Sequence, residues 1–440
     1  MSRFRLHRSG DGRALRPLQP GRPLTSRRGL TAFRHRNYRL FWGGQLVSLV
    51  GTWMQTVAQG WLVLQLSNDP FALGLLAVAQ FGPIMVLGLF GGVIADNLPK
   101  RQTLIATQVV QMVLAFLLAG LVAGGFVEVW HILVLALLLG CANAIDMPTR
   151  QSFVVEMVGR GDVASAVAFN SAMFNAARVV GPAIAGVTIG VFGMAVCFFI
   201  NGVSFMAVIA GLLAMRDREL HLGARVPRPR SVGAVFANLA EGLSYVRRTP
   251  VVLLAISTVG LSSTFAINFG VSVPPMVRDV LHSDASGYGF MMAVTGIGSL
   301  IAALAIAFSG RASVRLLLGG ALVLAVLFTV FGVSTSYPLS LIAMFGVGAG
   351  MIAMAASANT LIQLTVPDHL RGRVMSVFTT VFAGSTPIGG LITGALASTY
   401  GISAAVVVSG ILSIIVAVAG AAYALRNPER VAVPASAPAS

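Results

Sequence analysis

Apolar residues run through this chain in long blocks rather than alternating with polar ones, and short polar intervals separate the blocks. A bilayer-spanning helix needs about 20 apolar residues at 1.5 Å rise. Twelve blocks meet that length: 40–66, 72–95, 102–124, 128–148, 164–190, 194–215, 251–275, 287–309, 314–334, 338–363, 374–397 and 402–425. A spanning β-barrel would show alternating segments of about 10 residues, and the blocks do not alternate. They fall as six, a basic polar interval, and six more. The pattern predicts an all-α membrane protein of 12 transmembrane helices in two six-helix halves.

Composition agrees. With 56% hydrophobic residues, 10% charged residues and a mean hydropathy of +0.85, a 45.7 kDa chain has too little polar surface to cover a soluble globule, so the lipid bilayer is its first partner. The net charge of +16 is distributed by membrane side. Eleven Arg precede the first span, seven lie between spans 6 and 7, and the loops of the opposite face hold only Arg278. The positive-inside rule then places both termini and the central linker in the cytoplasm. A basic excess spread over one face, with no aromatic-rich binding module, argues against a nucleic-acid partner.

The domain pattern reads as a basic disordered tail over 1–39, a six-helix bundle over 40–215, a cytoplasmic linker over 216–250, a second six-helix bundle over 251–425 and a disordered tail over 426–440. A surface helix is expected in the linker near Ala234–Val246. Cys141 and Cys197 fall inside spans, where cysteine acts as a small hydrophobe. The six His are scattered without metal-ligand spacing. No Gly-rich phosphate cradle with a Lys occurs, so no enzyme site, metal or cofactor is expected, and any work done comes from a gradient or a partner chain.

Ionisable groups inside spans are costly and therefore informative. Arg178 lies midway along span 5, where it either recognises an anionic substrate group or ties helices together. Asp146 ends span 4 four residues before Arg150, so the two share a helix face if the helix continues past Pro148. They form a candidate coupling or gate ion pair. Gln55 and Gln59 belong to a polar stripe on span 1, and Gln80, Gln111, Asn143 and Asn268 stand on spans 2, 3, 4 and 7. With Arg178 these amides are candidates for a substrate cavity, or else for helix-to-helix packing.

The halves repeat at a spacing of 208 residues, which pairs Val158 with Val366, Gly181 with Gly389, Gly186 with Gly394 and Gly193 with Gly401. Such parallel halves are a known transporter plan, with substrate held near the midplane between them. After span 2, Gly92, Asp96 and the basic pair Lys100 and Arg101 resemble the gate motif of the major facilitator superfamily. Gly181, Pro182 and Gly186 resemble the helix-packing signature of its antiporters, with Gly389 and Gly394 as their repeat counterparts. Trp53, Gln55, Gln59 and Trp61 in span 1, the Asp146 to Phe153 segment and the Val366 to Ser376 segment are similar to the bacterial group of the enterobactin exporter and of macrolide and multidrug efflux proteins.

The resemblance implies a major facilitator fold in a bacterial inner membrane, functional as a monomer. It further implies proton-driven efflux of small amphipathic molecules, drug-like or siderophore-like, by alternating access. A metabolite importer or facilitator is the alternative within transport. A non-transporting membrane receptor or assembly partner is the alternative outside it.

Overall fold

The computed structural model describes residues 30–221, 232–309 and 313–431, with side chains described for all of these except 88–97, 232, 234–236 and 238. The gate residues Gly92 and Asp96 therefore lie outside the described side chains, as do the tail stretches 1–29 and 432–440. Among the described residues, thirteen helices carry the architecture. The first five are α1 (Arg36–Ser67), α2 (Pro70–Asn97), α3 (Lys100–Ala123), α4 (Val129–Phe192) and α5 (Met194–Leu213). A surface helix, α6 (Val232–Arg248), leads to α7 (Pro250–Ala266), α8 (Phe269–Pro275) and α9 (Ala285–Ser309). The chain closes with α10 (Val314–Val333), α11 (Tyr337–Thr365), α12 (Asp368–Tyr400) and α13 (Ile402–Arg426). Among the described residues, 10 helical segments are long and apolar enough to cross a membrane, and one of them has 64 residues.

That long helix, α4, is two arms joined at Gly159, where φ is 69° and ψ 166°. This backbone region is open essentially to glycine alone. The contacts of the arms fix their directions. Along the first arm, Glu156, Asp146 and Asn143 meet Lys100, Thr107 and Gln111 of α3 in turn, so this arm runs antiparallel to α3. On the second arm Ala166 meets Tyr38 and Gly181 meets Trp53, so it runs parallel to α1. The chain thus crosses and returns within one helical stretch. The structure differs here from the expected loop over 149–163. Pro148 removes one backbone N–H without ending the helix. The Thr149 hydroxyl donates to the Ile145 carbonyl at 2.7 Å, and Phe153 and Met157 are buried.

Two further boundaries need correction. Residues 30–39, expected in the disordered tail, are folded: Thr31–Arg34 form a 3-10 helix and α1 starts at Arg36. The reason is an aromatic cluster in which Phe33 meets Tyr38, Trp42 and Phe169 edge-on at 5.6, 5.2 and 4.6 Å. In the second tail, Pro428–Val431 form a short helix that buries Val431 against Leu254 and Leu318. The linker holds α6, two residues longer at each end than expected, clamped to α12 by an ion pair between Glu241 and Arg373.

Helices α1–α5 pack among themselves, as do α7–α13, and the two groups meet along α2 against α12 and along the second arm of α4 against α9. Small residues set the closest points. A Cβ placed on Gly289 of α9 would stand 2.6 Å from the Pro182 carbonyl oxygen and 2.7 Å from the Gly186 Cα. One on Gly394 of α12 would stand 3.1 Å from the Pro70 carbonyl oxygen. Gly181 and Gly389 instead let helices approach within their own halves, against Trp53 of α1 and Thr264 of α7. The repeat is thus functional in packing terms: the first glycine of each pair serves its own half and the second serves the joint between halves.

Among the described residues, Gly186, Gly394 and the contacts of α8 with α1 and α2 close the joint toward the face away from the basic loops. On the basic face, α7 packs against α10, α11, α12 and α13 of its own half.

Candidate functional site

Arg178 stands where four helices from both halves converge. Its guanidinium carbon lies 5.8 Å from the centre of the Trp53 ring on α1. Its Nη2 approaches the Met351 sulfur of α11, in the other half, at 3.6 Å. Gly296 of α9 passes so close that a Cβ there would stand 3.1 Å from the Arg178 carbonyl oxygen. Phe174, one turn before Arg178, meets Trp53 edge-on at 5.8 Å. Among the described residues Arg178 has no bond to Asp146 or to a backbone carbonyl, so the helix tie that the sequence left open is made only through Met351. The surroundings are a cationic fork, an indole face, a phenyl edge and a thioether, a set suited to a flat apolar group beside a negative charge.

Asp146 has a different setting. It is fully buried between α3 and the first arm of α4, and it accepts from Thr107 Oγ1 at 2.8 Å, from Gln108 Nε2 at 3.0 Å and from Arg150 Nη2. Because the helix continues through Pro148, Asp146 and Arg150 sit one turn apart on one face. Gln108, which the sequence offered with Gln111 as a cavity amide, is instead tied to Asp146, and Thr107 carried no pattern in the sequence that could have marked it.

The candidate cavity amides mostly pair with one another. Asn201 Nδ2 of α5 donates to Gln55 at 2.7 Å, with Ser204 donating to Asn201 at 3.1 Å. Gln80 donates to Gln59 at 3.2 Å and Gln111 to Asn143 at 3.2 Å. Asn268 bonds the Thr264 carbonyl at 2.6 Å and caps the break between α7 and α8. Gln55, Gln59 and Asn268 are nearly inaccessible, which is the geometry of helix ties rather than of an open cavity wall. Gln80 and Asn143 remain partly exposed. Asn201, the one strongly polar side chain of an otherwise apolar span, is the signal that sequence reasoning passed over.

At the basic face, the pair from the gate motif is engaged within the first half. Lys100 Nζ meets Glu156 at 2.5 Å. Arg101 donates to the carbonyls of Leu212 and Leu213 at 2.8 and 3.0 Å and pairs with Asp217 at 2.6 Å, so it caps the C-terminus of α5. Nearby, His35 pairs with Asp162 at 2.9 Å, and hydrogen bonds from His35 and Thr31 hold the Asp162 carboxyl below the usual aspartate range.

The opposite face carries a latch. Arg278 Nη1 donates to the Leu64 carbonyl at 3.0 Å, reaching from the second half to the last turn of α1, while Asp279 holds its Nε at 2.5 Å. Trp61 and Tyr288 stack across the same joint with ring centres 6.1 Å apart, and Ser286 donates to the Gly186 carbonyl at 2.9 Å.

Two repeated helix groups, with polar ties inside each group and a cationic centre where they meet, define a membrane transporter of the major facilitator type. The chain belongs to the transmembrane secretion effector family of that superfamily, whose model matches residues 27–439. It is similar to the multidrug efflux pump Tap of Mycolicibacterium fortuitum, with 29% identity over 376 residues covering 82% of this chain and 88% of the pump. It is also similar to the staphyloferrin A transporter of Staphylococcus aureus, with 24% identity covering 86% of this chain and 93% of that protein. Its fold matches the crystal structure of a bacterial homolog of the human lysosomal transporter Spinster, in an inward-facing and occupied conformation, with a TM-score of 0.71 at 13% identity over 91% of this chain and 99% of that one.

Proposed function

We propose that this protein is a secondary active exporter of small amphipathic molecules, drug-like or siderophore-like, that works by alternating access and is driven by the proton gradient. It acts as a carrier, not an enzyme, and as a monomer, in a bacterial inner membrane with both termini and the basic loops cytoplasmic. The observation that carries this reading is the closed joint at the face away from the basic loops, where, among the described residues, Gly186, Gly289 and Arg278 bring the halves 40–215 and 251–425 together; the cycle then consists of opening that joint as the basic face closes. The efflux pump and siderophore transporter among its relatives favour export over import.

Within this reading, Arg178 belongs to the substrate site, and partly exposed Gln80 and Asn143 remain candidates for its polar lining. Gly92, Asp96, Lys100 and Arg101 form the cytoplasmic gate, of which Lys100 and Arg101 brace α3 against α4 and α5. Asp146 and Arg150 form the pair through which protonation acts: a neutral Asp146 releases Arg150 and weakens its own bonds from Thr107 and Gln108 of α3, which loosens the first half. Measuring efflux of a chemically mixed panel from cells with and without the protein, with and without a protonophore, tests the whole. Export that stops with the protonophore is expected. Accumulation inside the cell would favour a metabolite importer.

A further inference from the structure

Among the described side chains, the charges deep in the spanning helices do not balance. Asp146 and Arg150 neutralise each other within the first half. Arg178 has no carboxylate among the described residues, and its described contacts are a sulfur and an indole face. Arg178 is half-buried, and a guanidinium at membrane depth with no carboxylate among the described residues is costly, so an anion that pairs with it for part of the cycle lowers that cost. Its position answers what that something is. Arg178 lies on the joint itself, touching α1 and α11 from opposite halves, and so is in reach of whatever is carried between them.

From this we infer that the central site takes amphipathic anions, specifically molecules that present a carboxylate next to an aromatic or other flat apolar group. The inference rests on the transport reading above and narrows its substrate class. The guanidinium fork accepts the carboxylate in a bidentate pair. Trp53 and Phe174 provide the aromatic wall, and the Met351 thioether, which now occupies the fork, gives way at little cost because sulfur is a weak acceptor. Binding then replaces a poor cross-half contact with an ionic one. Neutral and cationic analogues leave the guanidinium uncompensated, and the site discriminates against them for that reason.

The test uses the full-length protein in detergent and two probes of one scaffold, N-dansyl-leucine and its neutral amide, with binding read by energy transfer from tryptophan to the dansyl group. The wild-type protein is expected to bind the carboxylate at least tenfold more tightly than the amide. Arg178→Gln is expected to remove that preference, by weakening the carboxylate and relieving the penalty on the amide, and Arg178→Lys to keep only part of it. Equal binding of both probes by the wild type, binding of neither, or a preference that survives Arg178→Gln overturns the inference. If the Gln variant fails to fold, the wild-type comparison still decides, with dansylcadaverine as a cationic third probe that must bind no better than the amide. Reconstitution separates this from the reading beneath it. Preferential binding without movement under any gradient leaves the anion site standing and removes the export function. Movement of both probes at equal rates, without preference, does the reverse.

Discussion

Gly193 and Gly401 make the same backbone turn 208 residues apart, with φ and ψ of 82° and 172° at the first and 85° and 157° at the second. Each ends one spanning helix and starts the next, and nothing lies within 4 Å of a Cβ built on either. The constraint at both sites is therefore backbone strain alone. Gly193→Ala and Gly401→Ala are each expected to lower stability by about 1–3 kcal/mol, the range for a non-glycine residue in this region. Thermal unfolding in detergent measures it. A loss at one site but not the other would break the equivalence of the halves.

The close approach of Gly289 to Gly186 is steric instead. A methyl group at Gly289 would be inside contact distance of α4 backbone, and backbone cannot swing aside as a side chain can. Gly289→Ala is expected to force the joint open at the face opposite the basic loops. Spin labels at Ser67 and Ser283 should report a longer distance than in the unsubstituted protein, and an unchanged distribution would show that the joint tolerates the methyl.

Arg278 caps α1 from across the joint, a charge at a helix C-terminus. Arg278→Gln is expected to weaken the closed joint by about 1 kcal/mol, a population shift of about fivefold. The same pair of labels tests it, and an effect should add to that of Gly289→Ala only if the two contacts act independently.

Asp146→Asn keeps the bonds from Thr107 and Gln108 but strips Arg150 of its counter-charge. Breaking a buried pair by one partner costs about 3–5 kcal/mol, so this variant is expected to be destabilised. The double variant Asp146→Asn with Arg150→Gln should recover stability without recovering proton-driven export in proteoliposomes. Restored export would remove Asp146 from the coupling step.

Gln55 and Asn201 tie α1 to α5 away from the cavity. Asn201→Ala is expected to cost about 0.6–1.7 kcal/mol of stability, the range of interhelical side-chain bonds in membranes. The relative rates for different substrates should not change. Altered selectivity would return Gln55 to the substrate site.

Much of this architecture was legible because it depends on local composition. Whether a run of residues crosses a bilayer is decided by its own length and apolarity, and the 208-residue repeat and the i,i+4 spacing of Asp146 and Arg150 are likewise properties of the linear chain. The fate of each polar side chain was not. Gln55 meets Asn201 at a separation of 146 residues, Arg178 meets Met351 at 173, and Arg278 meets Leu64 at 214. A helix can present any face to its neighbours, so the rotation that hides Gln55 and Asn268 yet leaves Arg178 on the joint is set by packing between helices distant in sequence. Glycine is the link between the two levels. Its positions are written in the chain, but only the folded neighbours decide that Gly181 serves its own half, that Gly186 serves the joint, and that Gly193 turns the chain.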